Sequence, residues 1–100
     1  MKYFDCWKLF HNAVHMLCSH GSQRERLIDA VRELGYVKTD GLPESLRSEF
    51  DSFMAQMRVK TGSEGAFAAT INSFNDSQCQ HAVHEIVSFY GSICRHMEPH

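Results

Sequence analysis

The chain lacks most of the patterns that announce chemistry. No two of its four cysteines stand as C-x-x-C, so it carries neither a redox motif nor a zinc knuckle. No glycine pattern leads into a helix in the way a phosphate cradle requires. Basic residues are not in surplus. Ten Lys and Arg stand against twelve Asp and Glu, a formal net charge of −2, which gives no basis for direct nucleic-acid binding. No apolar run approaches the roughly 20 residues that span a bilayer. The opening "MKYFDCWKLF" carries Asp5 and no clean apolar block, unlike a signal peptide. The expected setting is the cytoplasm, with Cys6, Cys18, Cys79 and Cys94 as reduced thiols.

What is present reads as a globular helical domain. The composition is 43% hydrophobic and 22% charged, outside the disordered range. One hundred residues make a single domain, 1–100, which buries about two-thirds of its unfolded surface. Helical spacing of apolar residues recurs along the chain, whereas two-residue alternation is hardly sustained. The expected fold is all-α, a compact irregular bundle of about five short helices.

The first helix is expected over Tyr3 to Cys18, stopped by Gly21, with Trp7, Phe10, Val14 and Leu17 as its core face. Ser22 and Glu25 form a capping box for the second, whose stripe is Leu27, Ile28, Val31 and Leu34, with Gly35 as its stop. A loop with a turn at Asp40-Gly41 follows. Pro43 suits the first position of the third helix, and Glu44 suits its positive end. Leu46, Phe50, Phe53, Met54 and Met57 are its stripe. "RVKTGSEG" is read as the most mobile loop. Phe67, Ile71 and Phe74 mark a short fourth helix. Asn75 and Gln78 form the box of the fifth, which carries Cys79, Ala82, Val83, Ile86, Tyr90, Ile93 and Met97 on one side and ends at Pro99.

Histidine is the unusual count, at seven. Protonating these side chains makes the chain cationic in mild acid. "HNAVHMLCSH" aligns His11, His15 and Cys18 at i, i+4 and i+7. Zinc needs about four ligands, and Asn12 stands where the hydrolytic H-E-x-x-H motif has glutamate. The other source of ligands is Cys79, His81 and His84, but His81 points almost opposite to Cys79 on a helix. The expectation is therefore a solvated flank with Cys18 as a small buried apolar residue, and with no metal and no cofactor. A Cys-His nucleophile is also unsupported: Cys79 and Cys94 share an apolar face, and Cys6 and Cys18, near the edge of the first helix, have no oxyanion nest beside them. The chain is not expected to be an enzyme.

Surface residues are the remaining candidates. Leu9 and Met16 project from the side of the first helix opposite its core stripe, as in a central helix or one pressed on a partner. In "RERLIDAVRELGYVK" opposite charges lie three or four apart, the spacing of intrahelical pairs. "PESLRSEFDS" is acidic through Glu44, Glu49 and Asp51: a solvated flank, or a patch for a basic partner.

The stretches "RERLIDAVRELGYV", "LPESLRSEFDSFMAQM", and "EGAFAATINSF" followed by "HAVHEIVSFYGSI" resemble a family of small bacterial and phage helical proteins. Size, mild acidity and the lack of a catalytic motif are similar to the anti-CRISPR proteins of Pseudomonas phages aimed at type I surveillance complexes. The resemblance implies a non-enzymatic inhibitor in the bacterial host cytoplasm. Its partners would be subunits of the Cas7 and Cas8 type, and it would block their recognition of target DNA. Glu44, Glu49 and Asp51 are the candidate contacts, by charge mimicry or by steric blocking. The alternative is a homodimeric helical adaptor with Leu9 and Met16 in its seam.

Overall fold

The computed structural model describes residues 2–97. Among them, five α-helices and a 3-10 turn follow one another: α1 (Phe4–Leu17), α2 (Gln23–Leu34), the turn (Thr39–Gly41), α3 (Glu44–Gln56), α4 (Ala66–Asn72) and α5 (Asp76–Met97). They form an all-α bundle of 44 × 25 × 21 Å. The position expected to end α5, Pro99, lies outside the described residues.

Local signals set several helix ends. Ser22 accepts a hydrogen bond from the Glu25 amide at 3.1 Å and starts α2. At α5 the box is reciprocal: Asn75 Oδ1 accepts from the Gln78 amide and Gln78 Oε1 from the Asn75 amide, both at 2.8 Å. Pro43 sits one position earlier than expected, as the N-cap of α3. Gly35 ends α2 with an ordinary right-handed φ of −61°. Its glycine answers a different need, because a Cβ there would come within 3.3 Å of the Phe67 ring on α4.

α1 packs on both α2 and α5, which also touch each other, and α4 packs on α2. Two neighbours on α1 rotate its core face away from the sequence reading. Cys6, Phe10 and Ala13 are the buried residues, while Trp7, Val14 and Leu17 form half-buried margins. Phe10, fully buried, centres this face, with the small Cys6 and Ala13 one turn to either side of it. Cys6, placed by the sequence near an edge, is therefore buried, whereas Cys18, expected to be buried, is exposed because it caps the C-terminal end of α1 beyond the packed face.

The stripe of α3 is buried as expected, from Leu46 to Met57. Its attachment is made by long side chains rather than by close backbone approach. Phe50 meets Phe10 and Phe89 edge to face at 5.6 and 5.9 Å, and Phe53 meets Phe89 at 5.8 Å. Phe89, absent from the expected stripe of α5, thus closes the aromatic core.

Arginines stitch the loops to the helices. Instead of pairing mainly along α2, Arg24 donates to the Ile71 carbonyl, Arg26 to that of Ser19 and Arg32 to that of Glu64. Arg47 donates to the Leu42 and Asp40 carbonyls. Most of these acceptors lie at or just beyond helix ends, where carbonyls lack intrahelical partners. The loop read as most mobile is tied down on its own side. Thr70, fully buried, accepts from the Lys60 amide at 2.9 Å.

Candidate functional site

Because α3 stands off on aromatic side chains, a groove opens between it and α5. Its two halves have volumes of about 540 and 520 Å³ and adjoin each other at Phe53, Gln56, His81 and Glu85. The floor is apolar: Leu46, Phe53 and Phe89 in one half, Met57, Ala82 and Phe74 in the other. The walls are polar, mixing serines with the longer Glu49, Gln56, His81 and Glu85. Ser48 and Ser52 line the α3 side, and Ser88 and Ser92 the α5 side. Val59, exposed just past α3, marks one end.

Charge in the groove is sparse and mostly negative. Glu49 contributes from α3 and Glu85 from α5. His81 Nε2 lies 2.6 Å from Glu85 Oε1, an i, i+4 pair on the rim, and His84 stands beside it. Cys79 is buried while His81 is exposed, as helical geometry requires. Among the described residues, no three His, Cys, Asp or Glu side chains gather to hold a metal ion.

The acidic residues singled out from sequence do not share one face. Glu49 lines the groove. Glu44 and Asp51, seven apart, share another side of α3, and Asp51 accepts a 2.7 Å hydrogen bond from Thr39. Met16 is half-buried against the core. Leu9 borders a separate hollow of about 200 Å³ with Tyr36 and Lys38. The seam proposed from these two residues is therefore not a continuous bare face. No helix among the described residues is long and apolar enough to cross a membrane.

The histidine decapeptide is not uniformly solvated. His11 is half-buried, stacks on Trp7 at 4.8 Å and shares a 2.9 Å hydrogen bond with the Tyr90 hydroxyl of α5. His15, one turn on, is exposed. His11 is thus a strut between two helices, while His15 and, past the end of α1, His20 are solvated as expected.

A comparison with models of protein families finds no match, nor does one with curated proteins or with solved structures. The groove therefore has to be read from its own chemistry. Ser52, Ser88 and Phe89 were not expected as site residues. The only trace of the walls in the sequence is the four-residue spacing of Ser48 with Ser52 and of Ser88 with Ser92, and nothing in it indicates that the helices part between them.

Burial pushes the Cys6 and Cys79 thiols above their ordinary value of 9.0. Burial, and then the neighbouring Cys94, raises the Tyr90 hydroxyl. In each case the unfolded chain releases the proton at lower pH than the folded one. The associated stability is complete below the unfolded values and falls as pH rises above them. Urea midpoints under reducing conditions are expected to drop between about pH 8 and about pH 10. A midpoint that held or rose would contradict the burial of these groups.

Proposed function

We propose that this protein is a non-enzymatic inhibitor that binds another protein through the face formed by α3 and α5. The observation that carries this reading is the long groove with an aromatic floor and serine walls. The exposed lining is mostly polar, with serines on both walls able to hydrogen-bond to a partner above a buried apolar floor. The aromatic core around Phe53 and Phe89 holds the floor rigid, so the groove keeps one shape.

The proposed target is a type I CRISPR surveillance complex in the bacterial host cytoplasm, with contacts to subunits of the Cas7 and Cas8 type. This choice rests on the resemblance of the chain to anti-CRISPR proteins. Glu49 and Glu85 would lie against the basic surface that holds target DNA, and the bulk of the domain would exclude the duplex. With two acids on the groove, steric exclusion carries more of the effect than imitation of a polyanion.

The test is phage plating on a type I CRISPR-immune host that expresses this chain. Plaque formation is expected to recover by orders of magnitude over an empty-vector control. No recovery on such hosts removes the proposed target. Recovery that persists in a Ser52→Trp variant removes the proposed binding face.

A further inference from the structure

We infer that His11 and His15 form a two-imidazole site for a late first-row divalent metal ion such as Ni(II), with water in the remaining positions. The site is separate from the groove, since neither histidine lines it. The two rings stand one turn apart on α1, with their centres 4.4 Å apart. Histidines at i and i+4 are the spacing by which a helix gives two nitrogens to one ion. An ion about 2.1 Å from each nitrogen, at coordination angles of about 90–109°, sets two imidazole centres about 4.5–5.2 Å apart. The rings already stand close to the near edge of that range.

The pair is also held for ligation. The Tyr90 hydroxyl occupies Nδ1 of His11 at 2.9 Å, so Nε2 is the nitrogen left for an ion. With an ion on Nε2, the ring proton sits on Nδ1 and is donated to the Tyr90 oxygen. Such a partner on the other ring nitrogen orients most metal-ligating histidines. Trp7 stacks on the same ring at 4.8 Å, with planes 20° apart, and restrains its tilt. His15 is exposed and His11 half-buried, so the pair opens to water. Other histidines are engaged elsewhere: His81 with Glu85 at 2.6 Å, and His96 with the Ser92 carbonyl at 2.9 Å.

Donor count decides the kind of site. Among the described residues, no third His, Cys, Asp or Glu side chain gathers with the pair, Cys18 included. A closed structural zinc site, with its four protein ligands, is therefore excluded. What two nitrogens support is an open, exchangeable site. Imidazole suits Ni, Cu, Zn and Fe, and among divalent ions Ni(II) binds more tightly than Co(II) or Fe(II). Ni(II) is the probe of choice, because Cu(II) oxidises exposed thiols such as Cys18.

The test is isothermal titration of the full, reduced chain with nickel chloride, which is expected to give one ion per chain. His15 is exposed, so His15→Ala is expected to keep the metal-free melting temperature while weakening Ni(II) by about tenfold or more. Ni(II) is expected to raise the melting temperature of the wild type and not that of His15→Ala. Tyr90→Phe keeps the ring and removes the hydroxyl. It is expected to weaken Ni(II) by about tenfold, the lower end of the usual effect of losing such a partner. Cys18→Ser, and the double change His81→Ala with His84→Ala, are expected to leave the affinity unchanged. Co(II) in place of Ni(II) is expected to show no thiolate charge-transfer absorption. Binding that survives His15→Ala overturns the inference, as does binding lost with Cys18→Ser or with the changes at His81 and His84. So does a thiolate band with Co(II), or no binding with Ni(II) in large excess. Wild-type affinity in Tyr90→Phe overturns the positioning role of Tyr90.

Discussion

Phe50→Ala is expected to lower the free energy of unfolding by about 3–5 kcal/mol, the usual range for removing a buried aromatic ring. Phe50 is 2% exposed and stands edge to face with both Phe10 and Phe89. Alanine removes the apolar contact and leaves a cavity that two rings, held by separate helices, cannot both move to fill. The loss falls on a joint that long side chains make, since α3 is held by them rather than by close backbone packing. Domains of this size have only about 5–15 kcal/mol in total, so much of the stability goes with one residue. Urea denaturation followed by circular dichroism measures it. A loss below about 1 kcal/mol would mean that the aromatic cluster does not hold α3 in place. The same joint shapes the groove, so Phe50→Ala is also expected to weaken any ligand of that face in proportion to the loss of folded chain.

Thr70→Val is the second large effect, expected at about 1–3 kcal/mol although the two side chains have nearly the same shape. Thr70 is fully buried, and its hydroxyl holds the Lys60 amide at 2.9 Å. Valine removes the acceptor and leaves that amide without its partner, at the cost of an unmade hydrogen bond. Thr70→Ser keeps the oxygen and loses only a methyl group, so it is expected to restore part of the stability. Thermal unfolding of the three proteins separates the two contributions. If valine proves as stable as threonine, the loop between α3 and α4 is not anchored through this hydroxyl.

Helix positions were legible because their signals are local. Ser22 and the Asn75–Gln78 pair act within one turn, and the stripe of α3 needs only the period of a helix. Orientation was legible for α2 and α3, whose apolar stripes are buried as read. On α1 the buried face centres on Phe10 with Cys6 and Ala13, and Trp7, Val14 and Leu17 fall at its margins. Thr70 reads in sequence as an ordinary polar position of α4, and its anchoring role depends on Lys60, ten residues away. His11 and Tyr90, 79 positions apart, meet only once α1 and α5 are packed.

The order of residues alone determined the all-α class, most helix ends and the identity of most core side chains, because propensity, capping and hydrophobic period act over a few residues. Tertiary structure decided where α3 and α5 stand apart, which serines become walls and which acids face inward. Those features depend on the distance between two helices, and that distance is set by how Phe10, Phe50, Phe53 and Phe89 from three helices fill one space.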